Sequence, residues 1–297
     1  DMFIIRNKNQ FFFLPGILVV LSLFSVFFFG LKGGVDLKGG ALLEVSYSDA
    51  RPAIAEVEGK VASLSFGEMR IQPTGENGYI VRSRNLNDAE RMGLVQALSV
   101  TGNSAKEERF TSIGPTIGAE LRSKAWIAVT LVVLATIAYI AFTFRHVSKP
   151  VSSWKYGVIS IVTLAHDILI PMGLFALLGL LSGVEVDSLF IVALLTILGV
   201  SINDTIVVFD RIRENLKWND EHKTKAPFDE VVGKSIDQTI ARSINTSMTV
   251  IIALLALYFF GPESTRAFAL TLSVGMIAGT YSSIFLASPL LVVWEKW

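Results

Sequence analysis

The sequence contains no cysteine, which excludes disulfide bonds, thiolate nucleophiles and cysteine-ligated zinc. Charged residues are also scarce: Asp, Glu, Lys and Arg make up 18% of the 297 residues, whereas a typical globular domain has about 25%. The 26 basic and 26 acidic side chains cancel, so no basic excess is available to neutralise phosphates. We therefore expect a protein with no nucleic-acid partner.

Hydrophobic residues, by contrast, account for 52% of the chain and cluster in long runs. A helix needs about 20 apolar residues to cross roughly 30 Å of hydrocarbon. Six runs reach or nearly reach this length: residues 11–31, 125–144, 156–184, 188–209, 243–260 and 267–294. The sequence therefore predicts a polytopic α-helical protein with six transmembrane helices in membrane lipid. No small-residue cleavage site follows the first run, which we interpret as a retained anchor.

Basic residues in the short loops predict the orientation, because they favour the cytoplasmic side of a membrane. Twelve of them fall in segments that belong to one side: Arg6, Lys8, Arg145, Lys149, Lys155, Arg211, Arg213, Lys217, Lys223, Lys225, Lys234 and Arg242. The opposite short loops contain only Arg266. We therefore expect cytoplasmic termini and a cytoplasmic loop at 210–242. Residues 1–31 would form the N-terminus and first span, 32–124 a periplasmic domain, and 125–297 the other five spans.

The insert at 32–124 has the charge density of a soluble domain, and its hydrophobic periodicity changes along the chain. It predicts strands at 41–47, 69–72, 79–84 and 108–113, a helix at 52–64, and a second helix that is capped by Asn87 or Asp88 and ends at Leu98. This β-α-β-β-α-β order is typical of a small α+β, ferredoxin-like domain. The insert contains no metal-ligand cluster, nucleophile–base pair or phosphate loop. We therefore expect no catalytic residues, no metal and no organic cofactor.

The polar stretch between the fourth and fifth spans contains a helical pattern. Its apolar residues share one stripe of a helix: Phe228, Val231, Val232, Ile236 and Ile240. This spacing predicts a helix that lies on the cytoplasmic membrane surface. Two interpretations stay open, a coupling element and a plain connector.

Only three ionisable side chains fall within the six spans: His166, Asp167 and Asp204. A charged group near the membrane centre costs at least about 2.5–3.5 kcal/mol. Such groups normally face a bundle interior or a wet cavity and mark ion or proton pathways. These three residues are therefore the main candidates for function, with the proton as the coupling ion.

Asp204 lies late in the fourth span among polar residues that could support it: Ser201, Asn203, Thr205, Asp210 and Arg211. Arg242 opens the fifth span and could reach inward to pair with Asp204. Pairing favours the charged carboxylate, whereas burial disfavours it. Two interpretations follow, a carboxylate that loads and releases protons and a fixed pair that locks two helices together.

His166 and Asp167 lie near the middle of the third span. Adjacent helical residues point about 100° apart, so we expect the two side chains to face different neighbours. A buried histidine that is hydrogen-bonded to backbone or to Ser/Thr is an equally good interpretation of His166.

The sixth span carries small residues at every fourth position: Gly275, Gly279 and Ser283. Such a stripe allows two helices to approach closely. We interpret these residues as a helix-packing surface.

Several segments together resemble the SecD/SecF family of the bacterial Sec protein-export machinery. They are Val-Asp-Leu-Lys-Gly-Gly at 35–40, His-Asp at 166–167, the run at 201–215 that begins Ser-Ile-Asn-Asp-Thr, and Gly-Thr-Tyr-Ser-Ser-Ile at 279–284. Leu-Lys at 37–38 is closer to the SecD form of the first motif. The short periplasmic insert is typical of the SecF branch.

The resemblance implies that SecD supplies the other six-helix half of a bundle like that of resistance-nodulation-division transporters. It also implies association with the SecYEG translocon in the plasma membrane, where proton flow would help to pull a translocating unfolded polypeptide across. Asp204 matches the family's span-four carboxylate and Arg242 its span-five arginine, both implicated in proton transport. Asp36, Gly39 and Gly40 would form a structured junction next to the periplasmic domain.

Other functions fit the same pattern of spans. The chain could be half of a proton-coupled small-molecule or lipid exporter, although the insert leaves little room for a drug-binding domain. It could also be a non-conducting scaffold subunit. An intramembrane aspartyl protease is disfavoured, because no Gly-x-Gly-Asp precedes Asp167 or Asp204.

Overall fold

The computed structural model describes residues 2–67, 69–100, 102–143 and 152–295. Arg145 and Lys149, which helped to predict the orientation, lie outside the described residues. The chain forms two compact units, one made of Asp1–Lys32 with Ala128–Trp297 and the other of Gly33–Ile127. Six helices of the described chain are long and apolar enough to cross a membrane, so the predicted number of spans is confirmed.

The last of the six membrane-spanning segments contains a π-helical turn. The elements are α1 Met2–Arg6, α2 Lys8–Phe29, α6 Pro115–Thr143, α7 Ser153–Ser182, α8 Ser188–Glu221, α9 Phe228–Phe260 and α10 Glu263–Tyr281, followed by a π-helical turn at Ser282–Ala287 and by α11 Ser288–Glu295. The last span therefore consists of α10, the π-helical turn and α11. A π-helical turn inside a long helix is rare and is often found at functional sites.

The segment expected as a cytoplasmic loop at 210–242 is mostly helical. α8 continues to Glu221 and α9 already begins at Phe228, so only 222–227 connect them. Val232 and Ile236 are fully buried and belong to the same core cluster as Ile212 of α8. The prediction of a separate helix on the membrane surface is wrong, because α8 extends far enough to cover the apolar stripe of α9.

The smaller unit is built on one antiparallel sheet. Its elements are α3 Val35–Lys38, β1 Gly40–Tyr47, α4 Ile54–Ala62, β2 Arg70–Thr74, β3 Gly78–Ser83, α5 Asp88–Leu98 and β4 Ala105–Ile113. The strand order across the sheet is β2-β3-β1-β4. The predicted β-α-β-β-α-β sequence of elements is confirmed, because alternating strands and capped helices are encoded locally.

The core of this unit follows the alternation of β1. Leu43, Val45 and Tyr47 are buried, and they share a cluster with Leu94 and Leu98 of α5. The Tyr47 hydroxyl donates to the Leu98 carbonyl at 3.0 Å, and burial raises the pKa of Tyr47 to about 12. The sheet and α5 therefore share one apolar layer.

Asn87 begins α5, as the sequence allowed. Its side chain accepts from the Glu90 amide at 2.9 Å, while the Glu90 carboxylate accepts from the Asn87 amide at 3.0 Å. This reciprocal capping box satisfies two amides that the helix start would leave without partners.

Candidate functional site

Asp204 lies on α8 at the point where three helices meet. The residue is 7% exposed. Ser247 of α9 donates its hydroxyl to Asp204 Oδ2 at 3.5 Å, and Thr280 of α10 donates to Ser247 Oγ at 2.5 Å. The carboxylate is thus buried in the bundle, with one long hydrogen bond as its contact among the described side chains.

The ion pair that the sequence allowed between Asp204 and Arg242 is not formed. The structure gives no nitrogen–oxygen contact within 4.0 Å between these two described side chains, and Arg242 is exposed. Arg242 lies five residues before Ser247 on α9, so it points about 140° away from the hydroxyl that contacts Asp204. Its charge still interacts with Asp204 through space.

Asp167 of α7 has a different environment, although it is also fully buried. His166 Nδ1 lies 2.7 Å from Asp167 Oδ1. The hydroxyls of Ser201 on α8 and Ser282 in the π-helical turn both donate to Oδ2, the latter at 2.8 Å. Asp167 therefore connects α7, α8 and the last span at one point.

His166 does not behave as expected from the sequence. We predicted that it and Asp167 face different neighbours, but their side chains bend toward each other around the helix surface and make a direct contact. The alternative interpretation of His166, a histidine hydrogen-bonded to backbone or to Ser/Thr, is not what the structure gives either, because Nδ1 contacts this carboxylate. Nε2 of the buried ring makes no hydrogen bond to any described residue.

Ser201 links the two carboxylates in space. It precedes Asp204 by three residues on α8, so both lie on one face of the helix. Gly279 of α10 packs directly on Ser201, since a Cβ at Gly279 would lie 3.1 Å from Ser201 Cβ. A Cβ at Gly275 would come within 2.2 Å of the Ile197 side chain. The small residues of the stripe thus lie where α10 approaches α8, and Ser283 is buried nearby in the same span.

The remaining polar candidates make no hydrogen bond or ion pair with the Asp204 carboxylate among the described residues. Asn203 is exposed, and Thr205 is buried with its hydroxyl on the Ser201 carbonyl at 3.2 Å. Asp210 pairs with Arg213 at 2.5 Å. Arg211 donates to Gln238 at 2.6 Å and to Glu214 at 2.5 Å. Asp210 and Arg211 therefore belong to a polar surface cluster.

Asp36, Gly39 and Gly40 form a compact turn within the smaller unit. Asp36 lies in the single helical turn α3, and the two glycines lead into β1 with φ of +82° and +137°. A Cβ at Gly39 would lie 2.7 Å from the Pro115 Cα at the start of α6. Only glycine fits this positive φ and this close backbone approach.

The sequence did not single out Ser247, and it placed Thr280 and Ser282 only within the motif at 279–284, without assigning either a role. Serine and threonine are common in apolar helices, where their hydroxyls return to a carbonyl of their own helix, as Thr271 does to Ala267. Nothing local distinguishes a hydroxyl that reaches a carboxylate on another helix. The signal lies only in the packing of α8, α9 and α10.

Comparison with known proteins decides the family. The family model described as "Protein export membrane protein SecD/SecF, C-terminal" matches residues 94–297. The chain belongs to the SecD/SecF family. Two relatives are protein translocase subunits SecF: one from Thermobaculum terrenum is 40% identical over 306 residues, and one from Anaerolinea thermophila is 41% identical over 296. Each match covers 99% of this chain and 94% of the relative, so the SecF branch is shown.

A solved structure of the family has the same fold. It is the crystal structure of SecDF, a translocon-associated membrane protein, from Thermus thermophilus, with a TM-score of 0.83 and 34% identity. The match covers 99% of this chain and 38% of the SecDF chain. This chain therefore spans just over a third of that SecD/SecF-family protein.

Proposed function

We propose that this chain acts with SecD in the bacterial plasma membrane and uses the proton motive force to assist Sec-dependent protein translocation. The observation that carries the proposal is Asp204, a buried carboxylate in the middle of a membrane-spanning bundle. Burying such a group in a membrane costs several kcal/mol, so a carboxylate in this position is rare and usually has a function. In this proposal, transport needs no metal or organic cofactor, and the chain is not an enzyme.

The contacts of Asp204 favour an exchanging group over a fixed lock. A locked pair needs Arg242 within ion-pairing distance, and the described residues contain no such contact. One hydroxyl at 3.5 Å holds the carboxylate loosely, so adding or removing a proton breaks few contacts. We assign Asp167 and His166 to the same proton pathway as Asp204. Their role there is structural, since the contacts of Asp167 connect α7, α8 and the last span beside Asp204.

The partners follow from the family and from the length of the chain. We infer that SecD contributes the other half of a resistance-nodulation-division-type bundle, since this chain matches 38% of a SecDF chain. SecYEG would supply the channel and an unfolded polypeptide the cargo. The unit Gly33–Ile127, with strand order β2-β3-β1-β4, would be a ferredoxin-like periplasmic domain moved by proton flow, and both termini would be cytoplasmic.

Inverted membrane vesicles that contain SecYEG and the SecD–SecF complex test the proposal. Asp204→Asn is expected to remove the proton-motive-force-dependent part of secretory-protein translocation while leaving SecD association intact. Asp210→Asn is the matched control, because it makes the same chemical change six residues later on α8, at an exposed carboxylate. Undiminished proton-dependent translocation in Asp204→Asn would refute the role of this residue.

A further inference from the structure

Three polar groups from three different helices form a chain that ends at Asp204. Thr280 Oγ1 of α10 lies 2.5 Å from Ser247 Oγ of α9, which lies 3.5 Å from Asp204 Oδ2 of α8. Ser247 is 2% exposed and Asp204 is 7% exposed. The chain therefore crosses the centre of the α8–α9–α10 contact.

Thr280 has a choice of two acceptors. Besides Ser247 Oγ, its hydroxyl lies 2.8 Å from the Met276 carbonyl, one turn earlier on α10. A hydroxyl carries one hydrogen and can accept through its lone pairs, so Thr280 can donate to only one acceptor at a time. The second acceptor therefore allows two complete hydrogen-bond arrangements of Thr280, Ser247 and Asp204.

We infer that Ser247 and Thr280 are positioning residues that form a reversible hydroxyl relay for proton exchange at Asp204. This inference rests on the proposed function. When Asp204 is a carboxylate, Thr280 donates to Ser247 and Ser247 donates to Asp204. On protonation, a hydronium ion at the partly exposed Thr280 gives its proton to the Thr280 oxygen, the Thr280 hydrogen moves to Ser247 and the Ser247 hydrogen moves to Asp204, which leaves one water at Thr280 and a neutral carboxyl. The Asp204 hydroxyl then donates to Ser247, Ser247 donates to Thr280, and Thr280 donates to the Met276 carbonyl; release of the proton is the reverse. Each state uses every hydrogen once, and no buried donor is left without an acceptor.

Because these hydrogen bonds can reverse their direction, adding or removing a proton at the buried Asp204 costs less free energy. A buried donor without an acceptor is unfavourable, so an isolated carboxyl would lose a contact in one of its two states. The step from Ser247 to Asp204 is the longer one, and it is therefore the step that is most sensitive to a small movement of α9 along α8.

Charged groups around Asp204 are few, so the relay makes up most of its polar surroundings. Asp167 on α7 and Arg242 on α9 act on it through space, and His166 contacts Asp167. The charged residues Glu263 and Arg266 of α10 pair with each other at 2.6 Å in its first turn. On α8, Asp210 is the next charged residue and pairs with Arg213.

The test uses the complete SecD–SecF complex in proteoliposomes with SecYEG. Ser247→Ala and Thr280→Val remove one hydroxyl each, and Thr280→Ser restores the hydroxyl. Thr271→Val is the matched control, because this threonine lies on the same helix and its hydroxyl returns to its own helix at Ala267. Two quantities are measured against pH. One is proton-driven translocation, and the other is the infrared band of the Asp204 carboxylic acid, which is assigned by its disappearance in Asp204→Asn.

We expect proton-driven translocation to fall about tenfold in Ser247→Ala and about threefold in Thr280→Val, in line with the free energy of a hydrogen bond to a charged group. Both changes should move the infrared band and its pH midpoint, while Thr280→Ser and Thr271→Val leave them close to the parent. A band and midpoint that stay unmoved in both Ser247→Ala and Thr280→Val would overturn the relay. If Asp204→Asn alone abolishes the activity, the relay fails and the proposed function stands; if Asp204→Asn has no effect, the proposed function itself fails.

Discussion

Asp167 and Asp204 are both acidic residues buried in the same helical bundle, yet their surroundings differ. Asp167 contacts His166, Ser201 and Ser282, which occupy both of its carboxylate oxygens. Asp204 has one hydroxyl partner at 3.5 Å. The comparison teaches that burial alone does not identify a proton-exchanging group, because the number and length of the contacts decide how much structure depends on its charge.

The two sites therefore have different roles in our account. The contacts of Asp167 hold α7, α8 and the last span together, next to the π-helical turn that begins at Ser282. Asp204 faces a hydroxyl chain that has a complete arrangement in either protonation state. Ser201 contacts Asp167 and shares a helix face with Asp204, so a single turn of α8 separates the two sites.

The largest effect is expected from exchanging the charges of Asp204 and Arg242. In the single variants Asp204→Arg and Arg242→Asp, and also in the double variant, proton-driven translocation should be lost, because no carboxylate remains on α8 opposite Ser247. A static lock would regain its ion pair in the double variant. Recovery of translocation in the double variant, measured in SecD–SecF vesicles, would therefore contradict proton exchange at Asp204.

The loss of stability should be larger for a change at Asp167 than for the same change at Asp204. Asp167→Asn removes the charge to which Ser201, Ser282 and His166 hydrogen-bond and turns one acceptor oxygen into a donor, and we expect it to destabilise the complex by about 3 kcal/mol. Asp204→Asn loses one long hydrogen bond and should cost less than about 1 kcal/mol. Thermal unfolding of the purified SecD–SecF complex measures both. Equal unfolding midpoints for the two variants would remove the distinction between the sites.

A smaller effect is expected from Gly279→Ala. The added methyl group would lie 3.1 Å from Ser201 Cβ and 3.3 Å from Ser201 Oγ, which pushes the hydroxyl that contacts Asp167. Overpacking of this kind costs about 1–2 kcal/mol. Thermal unfolding should show a loss between those of Asp204→Asn and Asp167→Asn. Gly93→Ala is the control, because nothing lies within 4 Å of a Cβ at that position in α5.

The smallest effect is expected at an exposed carboxylate, which serves as the reference for the two buried ones. The Arg84 guanidinium and the Asn87 amide donate to Glu90 and lower its pKa in the folded chain. A lowered pKa means that this stabilisation is present above the unfolded-state pKa and is lost as the pH falls through the folded-state pKa. Glu90→Gln should therefore flatten the acid dependence of α5 hydrogen exchange slightly in that pH window.

The control for this measurement is Glu56→Gln on α4. Glu56 is exposed, and the described part of the chain gives it no ion pair. Its replacement should leave the acid dependence of exchange unchanged. An equal change in both variants would mean that overall charge, rather than the Arg84–Glu90 contact, controls the acid stability of this unit.

The architecture was predictable because its signals are local. Long apolar runs predict six spans, and alternation in β1 with a capping box at Asn87 predicts the order of elements in the smaller unit. The stripe with Gly275 and Gly279 predicts close packing, since only a small side chain fits against Ile197 and Ser201.

The wrong predictions concern contacts between helices. The apolar stripe with Val232 and Ile236 reads equally well as a membrane-surface helix, and only the length of α8 decides that it packs against protein. Arg242 was expected to reach Asp204, but its rotation on α9 turns it away. The contacts of Ser247 with Asp204 and Thr280 depend on how three helices are rotated, which the sequence does not display.

The central claim is that Asp204 gains and loses a proton during transport. Proton flux through SecD–SecF proteoliposomes under an imposed proton motive force measures this directly, with a pH-sensitive dye inside the vesicles. The account predicts that Asp204→Asn abolishes the flux and that Asp210→Asn retains it. Flux at the parent level in Asp204→Asn would contradict the account.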